Sequence, residues 1–310
     1  MKVVVVGAGI SGLACGRRLA EAGVSVRVVE RARVVGGRLA TRRFDGRAVD
    51  FGAPYFTVRD DDFAKAVDGL HRSGLVRRWT DTLAVIDPKG RRSTSGPVRW
   101  AATAGLRSVA EHLAEGLRVD LERRVERVGP GPSVDGDRVD AVVLAMPGPQ
   151  AARLLDPDSS ANRAVESQRW LPSLAAVLRY ADRAWPDFDG AFVNDDPVLT
   201  TVFDDGARRG DGSPVAVAYT TDAFAQEHLD APTRAAGAIA AAASRAVGLP
   251  EPVDVHVHRW TFARPAQDGA RSFHWDDQGI GVCGDAWGSP RVETAWLSGT
   301  SLAARILAAR

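Results

Sequence analysis

The chain has 310 residues, 45% hydrophobic and 25% charged, with 40 basic side chains against 39 acidic ones. That length exceeds the usual single domain and the composition supplies a real core, so one large or two joined domains are expected. A formal charge of +1 gives no reason to expect nucleic acid or an anionic membrane as a partner.

The first element is read from Val3–Val6, a β-branched run suited to a strand buried on both faces of a parallel sheet. It is too short for a leader or a membrane span, and the chain reads as soluble and cytoplasmic. Gly7, Gly9 and Gly12 follow at GxGxxG spacing. "LACGRRLAEAG" then has helical spacing and stops at Gly23, and "VSVRVVE" alternates as a second strand ending in Glu30. Gly7 suits the tight turn, Gly9 the close approach of backbone to a pyrophosphate, and Gly12 the packing of helix on sheet. Glu30 stands close to the ~20 residues beyond the last glycine at which an acid accepts ribose hydroxyls. Together these predict a dinucleotide cradle, and Glu30 disfavours a 2′-phosphate.

Further along, "GPGPSVDGDR" (129–138) reads as a turn-rich link between strands, and "VDAVVLAMPGPQAARLL" as a buried strand, a Pro-Gly turn and a helix. From Leu171 to Trp260, alternating stretches such as "LAAVLRY", "VAVAYT" and "VDVHVHRW" predict a mostly antiparallel sheet. "TRAAGAIAAAASRAVGL" predicts a helix on propensity. Asp254, His256 and His258 alternate on one strand face. No further ligand completes a metal site there, and structural hydrogen bonding is the expected role, so no metal is expected. Cys15 and Cys283 lack CxxC or CxxH spacing and are expected to be buried thiols in a reducing compartment. Lysine is scarce, occurring only at positions 2, 65 and 89.

Five stretches together resemble a family: "GAGISGLACGRRL…VVERARVVGGRLATRR", "VDFGAPYFTVRDDDFAKAV", "VRWAATAGLRSVAEHLAEGL", "HVHRWTFARPAQ" and "GIGVCGDAWGSPRVETAWLSGTSLAARIL". They are similar to the renalases, especially bacterial ones, in the amine-oxidase-like branch of the glutathione-reductase-type FAD superfamily. The resemblance implies an α/β protein: a Rossmann-like FAD-binding domain with a parallel sheet, discontinuous in sequence (1–58, 99–155 and 275–310), plus a smaller, mostly antiparallel substrate domain (59–98 and 156–274). It implies non-covalent FAD held by Gly7, Gly9, Ile10, Ser11, Gly12, Glu30, Arg31, Gly36, Gly37, Arg38, Gly52, Ala53, Val125, Met146, Gly284, Asp285, Arg291 and Val292.

By the same resemblance Asp285 accepts a ribityl hydroxyl, with a simple helix cap as the competing role. The helix beginning at Arg291, Val292 and Glu293 faces the flavin. Tyr55, Trp260, Arg264 and Trp287 are the candidates to line the reacting site. Tyr55 and Phe56 either wall the flavin or pack in the core, and His258 is divided between pocket and support. Three places depart from the family pattern where the substrate is expected: Pro54, "SPRVETAW" and "AATAGL".

The activity implied is oxidation of isomeric dihydronicotinamide dinucleotides, with hydride passing to flavin N5 and then to O₂, giving NAD(P)⁺ and hydrogen peroxide. None of the three lysines falls where many amine-oxidase-type relatives place one beside the flavin, and a dihydronicotinamide needs no base. The alternatives are an amine oxidase or desaturase acting on a small metabolite, and a protein whose flavin is structural or regulatory.

Overall fold

The computed structural model describes residues 1–309. β1 (Lys2–Val6) is the β-branched run, with Val3 to Val6 all buried. The glycine turn starts α1 (Ile10–Glu21), which stops ahead of Gly23 at φ +76° and feeds β2 (Ser25–Val29). A hairpin of β3 (Thr41–Phe44) and β4 (Arg47–Asp50) follows, then β5 (Phe56–Thr57) and α2 (Asp61–Arg72). Asp60 caps α2, its Oδ1 accepting from the amides of Asp62 and Phe63 at 2.9 and 3.1 Å.

The long hairpin β6 (Val76–Asp87) and β7 (Gly90–Ala102) leads through α3 (Arg107–Ala114) to β8 (Arg118–Asp120). The turn-rich segment folds as a small antiparallel meander of β9 (Val128–Gly129), β10 (Ser133–Val134) and β11 (Asp137–Arg138). It delivers the chain to the fully buried β12 (Ala141–Leu144), then α4 (Gly148–Ala151) and α5 (Ser160–Glu166).

The second half runs β13 (Trp170–Arg179), β14 (Gly190–Val193), β15 (Leu199–Asp204), α6 (Asp205–Arg209), β16 (Val215–Thr220), α7 (Asp222–Glu227) and α8 (Ala236–Val247). β17 (Asp254–Pro265), β18 (His274–Trp275), β19 (Ile280–Val282) and α9 (Val292–Leu307) complete it.

Two sheets organise these elements. The nucleotide sheet has the order β18-β19-β12-β1-β2-β8 and is parallel except for the edge strand β18. The platform sheet has the order β17-β13-β16-β15-β14-β6-β7-β5 and is antiparallel except where β14 meets β6. The predicted fold class is therefore the observed one. Strand alternation splits the platform: Leu174, Ala176 and Leu178 join the core under α8, while Ala175 and Val177 pack with Val49 and Phe51 on the other face. α2 buries Phe63, Val67 and Leu70 in the core of the nucleotide sheet, and β7 carries the platform sheet through Ala102. Segments 59–98 and 99–155 thus each contribute to both layers. Among the described residues no helix is long and apolar enough to cross a membrane.

Candidate active site

A cleft of about 1490 Å³ opens at the carboxyl ends of the parallel strands and runs to the platform sheet. Open α/β sheets bind ligands at that edge. The volume exceeds the ~300–1,000 Å³ of ordinary small-ligand pockets, leaving room for a dinucleotide and a second molecule. Every residue expected to hold the cofactor or to line the reacting site lies along this cleft, except Gly12. Gly12 works from behind it: a Cβ there would come within 2.1 Å of the Gly7 carbonyl oxygen, so the helix could not approach the strand.

Gly7 has φ +107°, and a Cβ would stand 2.5 Å from the Ala145 carbonyl oxygen. At Gly9, by contrast, a Cβ would meet no protein atom within 4 Å; it would project into the cleft that a ligand's phosphates would fill. Beside it the Ser11 hydroxyl is buried against the Cys283 thiol. The second turn closes on the first, with the Gly36 amide donating to the Ala8 carbonyl at 2.8 Å. Glu30 Oε2 accepts from the Ala8 amide and Oε1 from the Ala32 amide, both at 2.8 Å. Each oxygen keeps lone-pair capacity for sugar hydroxyls.

Arg38 and Asp285 bring the two ends of the chain together. Nη2–Oδ1 is 2.5 Å and Nη1–Oδ2 is 2.7 Å, and Nη1 also donates to the Ala263 carbonyl at 3.1 Å. Burial opposes the Arg38 charge, but Asp285 outweighs it and raises the guanidinium above its ordinary value. Ala53 is tied into the same turn, its amide donating to the Arg38 carbonyl at 2.8 Å. Val292 opens α9 behind Arg291, whose side chain makes no cap. In that first turn the buried Glu293 accepts from the amides of Arg59 and Asp60 at 2.6 and 2.8 Å, fixing the helix start to the approach of α2.

On the platform side, Trp260 donates from Nε1 to the Phe51 carbonyl at 2.8 Å and stacks on the Phe51 ring. His258 sits edge-on between Phe51 and Trp260, and burial, with help from neighbouring charges, pushes its imidazole down to about 4. The other two lie further along the same strand face, outside the cleft: His256 bonds Arg42 at 3.1 Å and Asp254 pairs with Arg179 at 3.0 Å. Tyr55 faces the cleft against Phe203 and Trp79. Phe56, its neighbour on an extended segment, lies largely in the core, 4% exposed and stacked on Trp100. Trp287 is buried at the cleft edge and stacks on His274, while Arg264 is exposed. Cys15 and Cys283 are both free and buried, and burial drives both thiols up, Cys283 to about 12.

Several features had no sequence signal. Arg99 and Tyr219 line the platform wall. Behind them lies a buried charge cluster. Asp205 pairs with Arg208, with Arg47 at 2.6 Å and with Arg209 at 3.7 Å; Arg208 also donates to the Pro54 carbonyl. Burial pushes Asp205 up, yet the three guanidiniums hold it below the ordinary carboxylate range.

The residues present fit FAD: an opening at Gly9, an acid at Glu30 and a second glycine turn continuing the cradle. Comparison with known proteins gives the same picture. A model described as an NAD(P)-binding Rossmann-like domain matches residues 5–69, and one described as flavin containing amine oxidoreductase matches residues 63–307.

Among curated proteins, polyamine oxidase 7 of Oryza sativa subsp. japonica is 43% identical over 53 residues, 17% of this chain and 11% of that protein. Hydroxyneurosporene desaturase of Rubrivivax gelatinosus is 44% identical over 68 residues, 21% of this chain and 13% of that protein. The matches thus span only 11% and 13% of those relatives' lengths.

Two solved structures share the fold over nearly their whole lengths. A putative protoporphyrinogen oxidase from Exiguobacterium sp. 255-15 has TM-score 0.80 at 16% identity, covering 100% of this chain and 99% of that one. Putrescine oxidase bound to putrescine has TM-score 0.74 at 20% identity, covering 99% of each. The family model spans most of the chain, and the chain belongs to the flavin containing amine oxidoreductase family.

Proposed function

We propose that the protein is an FAD-dependent oxidase of an isomeric dihydronicotinamide dinucleotide. The observation that carries this reading is the make-up of the cleft wall: among the described residues no lysine lines it, while Arg59, Arg99, Arg259, Arg264 and Arg291 do. Tyr55 and Trp260 supply flat apolar faces beside them. A reduced nicotinamide ring is flat, already carries the hydride it will lose, and needs no base to take a proton first. A dinucleotide also brings phosphates, which arginines recognise. A polyamine cation would meet like charge on this wall.

In this reading the glycine turns and Ser11 hold the cofactor phosphates, and Glu30 holds the ribose. Bound FAD would supply the two-electron acceptor for the donor's hydride, with O₂ and one proton accounting for the hydrogen peroxide released. The first turn of α9 places free N–H groups and a partial positive charge at the cleft. Trp260, anchored by the Phe51 carbonyl, and Tyr55, braced by Phe203, confine the donor ring and exclude water. His258, neutral near pH 7, supports the Trp260 face without adding charge.

Oxygen uptake tests the proposal: the isomeric dinucleotides should drive consumption of O₂ with one hydrogen peroxide per donor, and ordinary NADH should not. Absence of uptake with the isomers would overturn it. A second reading, oxidation of an amine or desaturation of a small metabolite, draws support from Asp222, which lines the same cleft and forms no ion pair among the described residues. Uptake driven by an amine and abolished in Asp222→Asn would favour it.

A further inference from the structure

Two arginines are buried among the described residues, Arg208 and Arg99, and of these Arg208 is paired with acids. Arg208 and Arg209 are both held by Asp50 and Asp205. Arg99 is 6% exposed and, among the described residues, forms no ion pair. It sits on β7 opposite Thr57 of β5 and Thr80 of β6, and it lines the cleft. Its Nη1 donates to the Asp81 carbonyl at 2.9 Å, and its Nε has no partner. The guanidinium carbon stands 5.4 Å from the centre of the Tyr55 ring and 6.0 Å from that of Phe192. Those ring faces offset part of the desolvation cost, but they leave N–H donors unsatisfied. A buried charge in this state is costly unless a partner arrives.

Three acids line the cleft: Asp285 is taken by Arg38, Glu30 accepts from backbone amides, and Asp222 of α7 forms no ion pair with Arg99. A guanidinium with no counter-ion, on a cleft lined by many more arginines than acids, is matched by an oxyanion.

We infer that Arg99 is the anchor for an oxyanion carried by the substrate, a phosphate or a carboxylate. The inference deepens the proposed function and rests on it only for which oxyanion is bound: a dinucleotide offers phosphate, whereas an acidic metabolite offers carboxylate. Arg99 acts in positioning and specificity, since the electrons move elsewhere in the cleft.

The test uses FAD-loaded protein, so that the cofactor's own phosphates are in place. Wild type, Arg99→Met and Arg99→Lys are titrated by calorimetry with inorganic pyrophosphate in one arm and malonate in the other, following the flavin band in parallel. Wild type should bind at least one of the two anions at least tenfold more tightly than Arg99→Met. Arg99→Lys should fall between them, because it keeps the charge but loses the fork. The arm with the tighter binding identifies the oxyanion.

FAD content should be unchanged in both variants. The melting temperature of Arg99→Met should hold or rise, since an unpaired buried charge has been removed. Equal affinity in wild type and Arg99→Met, no binding in either arm, or loss of FAD on substitution would each overturn the inference. Failure of the dinucleotide reading looks different: the isomers would leave the flavin oxidised while Arg99-dependent anion binding persisted.

Discussion

Arg38 and Asp285, 247 positions apart, meet in a two-pronged ion pair with oxygen–nitrogen distances of 2.5 and 2.7 Å. The pair joins the second glycine turn to the strand end that precedes α9, so the two halves of the cofactor cradle are fastened at one point. Asp285→Ala would leave the partly buried Arg38 without its acid and loosen that point. Its FAD affinity should fall at least tenfold, about 1.4 kcal/mol. Asp285→Asn, which keeps an acceptor, should lose less. Fluorescence titration of apoprotein with FAD measures both.

The two glycines of the first turn separate folding from ligand binding. Gly12→Ala would drive a Cβ to 2.1 Å from the Gly7 carbonyl oxygen, so the variant should be poorly soluble or melt far below wild type. Gly9→Ala meets nothing within 4 Å in the protein itself and should leave the apoprotein's melting temperature unchanged while weakening FAD at least tenfold. Thermal melts of apoprotein alongside FAD titrations distinguish the two effects.

The charge cluster around Asp205 holds the chain entering the cleft, because Arg208 binds the Pro54 carbonyl next to Tyr55. Asp205→Ala would leave buried guanidiniums without their shared acid. Breaking a buried pair this way costs about 3–5 kcal/mol. Denaturant unfolding should show that loss, together with reduced FAD retention.

His258 makes stability depend on pH. Its folded value of about 4 lies below the ordinary imidazole value of ~6.5, so between those limits the unfolded chain binds a proton that the folded chain refuses. The contribution is full above about 6.5 and is lost as pH falls toward 4. Discounted for partial exposure, it amounts to about 1–2 kcal/mol. His256 and His274, also pushed down by burial, act in the same direction. Melting temperature against pH should be flatter in His258→Gln than in wild type.

The cradle was legible because its information is local. Gly7, Gly9, Gly12 and Glu30 act through turn geometry and spacing within one β-α-β unit, and family-like motifs extended that reading to Gly36, Arg38 and Asp285. On sequence alone Tyr55 and Phe56 could each wall the flavin or pack in the core; the structure separates them, because neighbours on an extended segment point to opposite sides and one side is core. Arg99 had no such mark. Its isolation depends on strands brought together from residues 57, 80 and 99, and in a chain this rich in arginine one more in "PVRW" carries no signal. The Asp205 cluster was hidden for the same reason, since its partners come from β4, α6 and the segment before β5.

The most direct measurement is anaerobic. FAD-loaded protein is mixed rapidly with isomeric dihydro-NAD, with ordinary NADH, or with a panel of amines, and the flavin band is followed. The account predicts fast bleaching by the isomers alone, with the band and an equivalent of peroxide appearing when air is admitted. Bleaching by an amine, with the isomers leaving the flavin oxidised, would contradict it.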